Sequence, residues 1–429
     1  MRSLFGVVLS TGAVCVLALL LMRWRDLCRA FGSAYHCVVG LLLVVGSNAA
    51  ALLVPTRSST LLGGVAVAFL ALVALGARRR NVLGGSDPAR RAAWYLAGVL
   101  IAWCFVVDVG VGRGVYQDRY LTYGACIVVW LAAGLFVGQT RCALAAWAYT
   151  GGALVSFLTV SAAFDDTSWA RCVRGVFEKC SLAEGLFRGF ASSENYVAII
   201  AGFTLVASVA ALRRWPRLII AGHSGIALIA TGSRTGMLTV AVALVVIFAG
   251  RAVESRKVLR QLPRWLCAFI AFGACGAGVL LVLSSSPDAL SRRGAIWTIV
   301  RRNLGDNLPS GLGVSKWAYF QGIGQSPQHF FHSSFALVLF AGGLVGIVLF
   351  GCCSYSVLRG AASDGRALTR AAPSVLLLVY AMTEVVWNPV AFDGLSWIVV
   401  ALLCTGACRM PVGDLPDRDP IVNLPTKAA

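Results

Sequence analysis

The sequence predicts an all-α polytopic membrane protein with about 12–13 transmembrane helices and a large external loop that carries short amphipathic helices. Of its 429 residues, 58% are apolar and only 13% are charged, whereas soluble domains average about 45–50% and about 25%. The apolar residues also gather in runs of about 20, the length that spans the hydrocarbon layer as a helix. A water-soluble fold, a disordered chain and a small disulfide scaffold are excluded.

The apolar runs give thirteen candidate spans. The eighth and ninth are short, and the last two meet around Asn388-Pro389, so both 12 and 13 spans stay open. The first run lacks a small-residue cleavage site and leads into Arg23 and Arg25, which indicates a retained span rather than a signal peptide. The runs are 4–22, 34–54, 60–77, 93–111, 121–138, 142–164, 195–212, 218–233, 236–250, 265–284, 333–357, 372–390 and 394–408.

The order of runs and loops divides the chain into six segments. They are N-terminal transmembrane helices (1–164), a first long external loop (165–194), central transmembrane helices with a Ser-Arg-Thr motif (195–284), a large external loop expected to be catalytic (285–332), C-terminal transmembrane helices (333–408) and a cytoplasmic tail (409–429).

The basic residues predict the orientation. The net charge is +19, and Lys and Arg collect in cytoplasmic connections. Placing Arg78-Arg79-Arg80 inside puts both long loops outside and the C-terminus inside. The N-terminus is then outside with 13 spans and inside with 12.

Most of the 14 cysteines lie within apolar runs, where Cys behaves as a small hydrophobe. Cys172 and Cys180 instead flank a polar loop. If that loop faces an oxidising exterior the two can pair, and the sequence leaves this open.

The second long loop contains an amphipathic pattern at 291–302. Ile296, Ile299 and Val300 recur at helical spacing, which predicts a helix at the membrane surface with Trp297 at headgroup depth. The aromatic residues that follow suggest a loop resting on lipid: Trp317, Tyr319, Phe320, Phe330 and Phe331. The plainer alternative is an interfacial loop with incidental charge.

Several ionisable residues stand against the apolar background. Arg234, in Gly-Ser-Arg-Thr-Gly, must face protein, water or an anion, unless it simply extends to the interface. His332 lies at an external loop–helix boundary, with His329 as a partner or a bystander, while His36 lies at the cytoplasmic end of a span. Three further groups are expected to be packing contacts rather than catalytic groups: Asp108, His223 and Glu384.

Arg234, Arg292, Arg293 and His332 are all predicted at one membrane face. Guanidinium groups neutralise a diphosphate through paired hydrogen bonds, and an imidazole accepts a hydroxyl proton near neutral pH. The short external loops carry no Asp-x-Asp or paired-carboxylate motif, so metal-assisted sugar-nucleotide chemistry is not suggested. The prediction includes neither a metal nor a cofactor.

Four features over roughly 185–350 resemble the O-antigen ligase and O-antigen polymerase superfamily of bacterial envelope enzymes. Phe187-Arg-Gly-Phe-Ala-Ser-Ser-Glu-Asn-Tyr-Val-Ala198 is similar to the family's Arg/Gly/Phe…Asn…Ala start of a span, and Gly-Ser-Arg234-Thr-Gly to its Ser-Arg-Thr/Gly motif. Arg293 with Trp297, then Pro309…Gly311-Leu-Gly313, resembles its Arg-x-x-x-Trp…Gly-x-Gly stretch. His332-Ser-Ser-Phe with Gly343 and Gly346 resembles its His-Asn…Gly-x-x-Gly signature, with Ser333 where the family usually has Asn.

The resemblance implies a metal-independent glycosyltransferase in the cytoplasmic membrane with an external, periplasmic site. It would move a glycan from a polyprenyl (undecaprenyl) diphosphate carrier to a hydroxyl of a lipid-linked or glycan acceptor, as lipopolysaccharide ligases and polysaccharide polymerases do. Arg234 and Arg293 would hold the diphosphate, with Arg292 as the alternative to Arg293. His332 would activate the acceptor, and Trp297 and Asn195 would complete the substrate site. No nucleic-acid partner is expected.

Two other functions compete with this one. A transporter or flippase of lipid-linked oligosaccharides would use the same arginines to escort a diphosphate through a cavity. A structural partner in an envelope assembly complex would tolerate the loss of Arg234, Arg293 and His332.

Overall fold

The computed structural model describes residues 1–25, 27, 88–111, 123, 127, 144–173, 179–191, 193–255, 263–326, 331–362, 367–389 and 395–407. Several predicted features lie outside this part of the chain. They are the spans 34–54 and 60–77, nearly all of 121–138, the Arg78 cluster, His36, His329, Phe330 and the tail 409–429.

The protein is an all-α polytopic membrane protein. Twelve α-helices lie in the described ranges, and six of them (α1, α2, α4, α6, α7 and α10) are long and apolar enough to cross a membrane. The bounds are α1 Arg2–Met22, α2 Pro88–Gly110, α3 Leu144–Thr159, α4 Glu194–Ala211, α5 Arg214–Ala230, α6 Arg234–Ser255, α7 Arg264–Ser284, α8 Ala289–Leu304, α9 Val314–Gly322, α10 Ser334–Ala362, α11 Ala367–Thr383 and α12 Ser396–Ala407.

Ten of the thirteen predicted runs coincide with a helix, at times with shifted ends. The largest shift is in the run 372–390, because α11 ends at Thr383. The Val386 N–H donates to Ser334 Oγ at 3.0 Å instead of continuing the helix. The chain therefore leaves helical geometry at Glu384.

Small residues let the helices of the bundle approach one another closely. A Cβ on Gly202 of α4 would lie 2.9 Å from Val240 of α6, and one on Gly250 of α6 would lie 2.7 Å from Leu368 of α11. Such small-residue contacts are typical of membrane helices, which gain little hydrophobic energy from packing together in lipid. α4, α10 and α11 each contact several other helices and form the middle of the bundle.

α10 is not the single straight span that 333–357 predicts. The rings of Phe335 and Phe350 are 5.5 Å apart, although residues 15 positions apart in a straight helix are separated by about 22 Å. The chain folds back at Gly343, whose φ of 62° lies in the left-handed region. The short first part, up to Gly342, is buried on all sides.

The second long loop crosses α10 at this break. Leu312 N–H donates to Phe340 O at 2.7 Å, and Leu344 N–H donates to Leu308 O at 3.0 Å. A Cβ on Gly311 would lie 2.6 Å from Gly343 N, so two backbones touch where any side chain would separate them. The loop thereby supplies partners for backbone groups that the broken helix cannot pair internally.

The described residues of the first long loop form a small hairpin closed by a disulfide. β1 (Trp169–Ala170) pairs antiparallel with β2 (Leu186–Phe187), and Cys172 is bonded to Cys180. The carboxylate of Asp165 caps the turn before β1, and its hydrogen bonds from Thr167 lower the pKa of that carboxyl. The pairing that the sequence left open is present in the structure.

Both long loops lie at the same end of the bundle, which we call the loop end. Gly232, in the turn between α5 and α6, packs against Cys180 and Ser181 of the first loop. α11 runs antiparallel to α6, so its last residues also reach this end, where Glu384 pairs with Arg293 of the second loop. The side of the membrane to which the loop end belongs stays a prediction.

Candidate functional site

An ion pair at the end of α11 is the centre of the candidate site. The guanidinium of Arg293 forms a salt bridge with Glu384 and also donates a hydrogen bond to the carbonyl of Thr383. The two side chains are only 16% and 9% exposed. The carboxylate and the carbonyl therefore fix the position of Arg293, which keeps further N–H donors for another partner.

The segment that follows the second loop is tied to the same residue. Ser334 N–H donates to Glu384 O at 3.1 Å, and Ser333 Oγ–H donates to Ala381 O at 3.0 Å. These bonds hold half-buried His332 at the end of α11, with a backbone φ of 49°. A residue other than glycine in the left-handed region is uncommon, and such strain concentrates at functional sites.

Ser333 stands where the family resemblance expects Asn, and it has a structural role. Its Oγ accepts a hydrogen bond from Ala336 N–H at 3.3 Å, and its own hydroxyl reaches Ala381 O. It therefore caps the start of α10 and joins that start to α11.

Trp297 is enclosed by protein and does not face lipid headgroups. Its side chain is fully buried, and its Nε1–H donates to Phe331 O at 2.9 Å. The helix 291–302 is present as α8, but Ile296 and Val300 pack against protein rather than lipid. Trp297 therefore supports the segment that carries His332, and its predicted place in the substrate site stays a prediction.

The idea of an aromatic loop resting on lipid is also wrong for most of its residues. Of the four aromatic residues that the structure describes here, Trp317, Phe320 and Phe331 are buried and Tyr319 is exposed. Trp317 packs on Phe331 with ring centroids 4.4 Å apart. A hydrophobic pattern alone does not distinguish a face buried in protein from a face buried in lipid.

Arg234 is the first residue of α6 and is exposed. The turn before it contains Gly232 with φ 65°. One turn into α6, Gly236 approaches the hydroxyl of Tyr380, which donates to Ala198 O at 3.1 Å. Since Tyr380 is one turn before Glu384 on α11, Arg234 lies at the same end of the bundle as Arg293 and His332.

Arg292 differs from Arg293 although the two are adjacent. Leu290, Ser291 and Arg292 all have left-handed backbone angles, and the regular helical backbone of α8 follows them. Arg292 is exposed, whereas Arg293 turns inward to Glu384. Of the two, Arg293 is the one with a fixed position at the end of α11.

Asn195 lies in the first turn of α4 and contacts a residue that the sequence analysis missed. Lys179, from the disulfide-closed loop, donates to Glu194 Oε1 at 2.5 Å and to Asn195 Oδ1 at 3.1 Å. The start of α4 lies beside the end of α11, because the hydroxyl of Tyr380 donates to Ala198 O at 3.1 Å. The signal in the sequence was the position of Lys179: it is one of only four lysines and directly precedes Cys180.

The residues of the candidate site carry an excess of positive charge. Among those named above, four cations stand against two carboxylates, in addition to the imidazole of His332. They are Lys179, Arg234, Arg292 and Arg293 against Glu194 and Glu384. Such an arrangement attracts a multiply charged anion.

An apolar cleft begins immediately beyond this charged group. It is lined by residues of α10, α11 and α12. Val386 and Trp387, two and three residues after Glu384, form part of its wall together with Phe350, Leu377 and Leu402. A charged region next to an apolar cleft is the arrangement that an amphiphile with a charged head needs.

Of the three groups expected to be packing contacts, Asp108 and His223 pack within the bundle, whereas Glu384 pairs with Arg293 in the candidate site. Buried Asp108 accepts hydrogen bonds from Ser315 N–H at 2.8 Å and from its hydroxyl at 2.5 Å, which anchors the start of α9. Buried His223 lies 3.0 Å from the hydroxyl of Thr159. Among the described residues, no three His, Cys, Asp or Glu side chains are grouped so that they could hold a metal ion.

Comparison with known proteins gives no match: no protein-family model, no curated protein and no solved structure is similar to this chain. The resemblance to the O-antigen ligase and polymerase superfamily stays a prediction from the motifs.

Proposed function

We propose that the protein is a metal-independent glycosyltransferase that moves a glycan from a polyprenyl diphosphate carrier to an acceptor hydroxyl. The observation that supports this most directly is the meeting of three distant segments at the end of α11. These segments carry Arg234, Arg293 and His332, and an apolar cleft lies next to them.

In the proposed reaction, the acceptor oxygen forms a bond to the anomeric carbon of the glycan. The bond from that carbon to the diphosphate oxygen breaks, and the electron pair leaves with the polyprenyl diphosphate. His332 accepts the proton of the acceptor hydroxyl. Arg234 and Arg293 neutralise the departing diphosphate, and Glu384 and the Thr383 carbonyl keep Arg293 oriented for that contact.

We also propose that the loop end faces the exterior of the cytoplasmic membrane. Disulfides form and persist in oxidising compartments, and the Cys172–Cys180 bond lies at this end. The distribution of Lys and Arg in the sequence supports the same orientation.

The test is transfer by the purified full-length protein from a polyprenyl-diphosphate glycan to an acceptor. We expect a new glycosidic bond with wild type. We expect loss of transfer, by at least about 100-fold, with Arg234→Ala, Arg293→Ala and His332→Ala, each still accumulating in the membrane. Normal activity of His332→Ala rejects the mechanism.

The broken α10 favours a second candidate, a flippase for lipid-linked oligosaccharides. Discontinuous helices with buried short segments are common at the substrate sites of transporters, and the first part of α10 is of this kind. The same assay separates the two functions, because a flippase forms no new glycosidic bond. In proteoliposomes it would instead move the labelled lipid between leaflets.

A further inference from the structure

Lys179 occupies an unusual position, because it belongs to the first loop but contacts the start of α4. Its ammonium group reaches Glu194 Oε1 at 2.5 Å and Asn195 Oδ1 at 3.1 Å. An ammonium group has three N–H donors, and these two side chains engage two of them. The side chain is 29% exposed, so the group is open to a further acceptor from solvent or from a bound molecule.

The backbone around Lys179 is held by three constraints. Lys179 and Val173 exchange two hydrogen bonds of 3.0 Å, Cys180 is bonded to Cys172, and Cys180 packs on Gly232. A Cβ on Gly232 would lie 3.2 Å from the Cys180 carbonyl carbon. The disulfide thus fixes Lys179 against the turn that leads directly to Arg234.

The start of α4, which Lys179 contacts, also lies beside the end of α11: the hydroxyl of Tyr380, one turn before Glu384, donates to Ala198 O, one turn after Glu194, at 3.1 Å. The two carboxylates, Glu194 and Glu384, are each paired with a cation from a different long loop. Arg293 and Lys179 are therefore placed in the same way. Each is a basic residue of a long loop, and a glutamate holds it at the end of a helix.

We propose that Lys179 is a further anion-binding residue of this site, and that the Cys172–Cys180 disulfide positions it. This inference rests on the proposed function, because the anion is the diphosphate of a polyprenyl carrier. The ammonium group donates a hydrogen bond to a phosphate oxygen while it keeps its contact with Asn195. A lysine binds phosphate as a compact point charge, which complements the paired hydrogen bonds that the guanidinium of Arg293 can donate.

The experiment measures binding of farnesyl diphosphate, a short polyprenyl diphosphate, to the full-length protein in nanodiscs. Lys179→Gln should weaken binding by about tenfold, the effect of losing one charge-assisted hydrogen bond. Lys179→Arg keeps the charge and should stay within about threefold of wild type. Lys316→Gln is the matched control and should bind as wild type does, because Lys316 lies over the rings of Tyr319 and Phe320.

A second variant distinguishes binding from a purely structural ion pair. Glu194→Gln removes the carboxylate that competes for the ammonium group, so it should tighten binding by about threefold. A structural pair would instead make Lys179→Gln and Glu194→Gln weaken binding alike, which overturns the proposal. Thermal unfolding of each variant shows that the protein is folded.

Reduction tests the positioning role of the disulfide. Dithiothreitol should weaken binding to wild type by about threefold, because the lysine is no longer held in place. It should not alter binding to the Cys172→Ser/Cys180→Ser variant, which already has the weaker affinity. Unchanged binding after reduction of wild type overturns this part of the proposal.

The outcomes also separate this inference from the proposed function. If wild type binds farnesyl diphosphate and Lys179→Gln binds it equally well, only the role of Lys179 is wrong. If wild type binds no polyprenyl diphosphate, the proposed function fails and this inference fails with it.

Discussion

The Arg293–Glu384 pair sets the geometry of the candidate site at the scale of single residues. Both side chains are almost removed from solvent, and desolvating two charges offsets much of their attraction. Such a pair contributes little to the free energy of folding, but it holds the guanidinium in one orientation. The main role of the pair is therefore to position Arg293, and its contribution to the free energy of folding is secondary.

This view gives a prediction about stability. Glu384→Ala leaves Arg293 charged, nearly buried and without its carboxylate, so it should destabilise the protein by about 3 kcal/mol. The double variant Arg293→Ala/Glu384→Ala should be more stable than the sum of the two single changes predicts, since no lone charge remains. A double-mutant cycle on thermal unfolding in detergent measures this.

Glu184→Gln is the control for that cycle. Glu184 is an exposed acid, and its carboxylate lies 3.8 Å from the N-terminal amine. Screened surface pairs of this kind contribute little, so the unfolding midpoint should not change. Strictly additive effects of the Arg293 and Glu384 changes would contradict the buried-pair interpretation.

At the scale of elements, the break in α10 decides how the second loop meets the bundle. Gly343 and Gly311 touch through their backbones, and the carbonyl of Phe340 accepts the N–H of Leu312. The indole of Trp103 adds a hydrogen bond of 2.7 Å to the carbonyl of Gly342. The Pro…Gly-x-Gly stretch and Gly343 thus form one structural unit, a packing role that no single motif revealed.

Gly343→Ala should disrupt this unit. The new Cβ would meet the carbonyl of Pro309 and the N–H of Gly311, in a backbone conformation that only glycine adopts without strain. We expect destabilisation of about 2–4 kcal/mol, measured as a lower thermal unfolding midpoint, and a smaller yield of folded protein.

Gly276→Ala in α7 is the matched control, because a Cβ there meets nothing within 4 Å. Alanine is the better helix former by about 0.5–1 kcal/mol, so this variant should be as stable as wild type or slightly more so. Equal midpoints for the two alanine variants would show that the break at Gly343 does not need glycine.

The contrast between α7 and α10 shows how far the sequence predicts the elements. The apolar run 265–284 predicted α7 almost to the residue, because hydropathy decides whether a segment crosses lipid. The run 333–357 is just as apolar, yet it folds back at Gly343. The break depends on a contact of Gly343 with Pro309 and Gly311, which are distant in sequence. The local sequence around Gly343 therefore does not predict it.

At the scale of the whole molecule, the candidate site exists only through long-range convergence. The sequence identified Arg234, Arg293 and His332 by residue type and by motif. It did not identify Glu384 and Lys179 as members of the site, because their importance lies in what they contact. Charge in a membrane segment can be read from a sequence, whereas its partner is set by the packing of the helices.

The orientation of the whole chain gives a further prediction. In intact cells, a membrane-impermeant maleimide should label Cys172 and Cys180 only after reduction, because the bond protects both thiols. The Cys172→Ser/Cys180→Ser variant should lack this reduction-dependent label, and buried Cys104 should remain unlabelled in both. Labelled peptides are identified by mass spectrometry.

Two results would contradict this prediction in different ways. Labelling without a reductant would show that the bond is absent in the cell. Labelling that needs a permeabilised membrane would place the loop end in the cytoplasm and would reject an external site.

The folded-back α10 has a consequence for how the protein is made. Its first part is too short to enter the bilayer as an independent unit, and its carbonyls are satisfied by Trp103 of α2 and by the 308–312 stretch. The start of that part is also bonded to the carbonyls of Ala381 and Glu384, so it can settle only after α11 has been synthesised. Ribosome-bound intermediates in which 334–342 has left the ribosome but α11 has not been made should therefore leave this segment accessible to protease, and the completed chain should protect it.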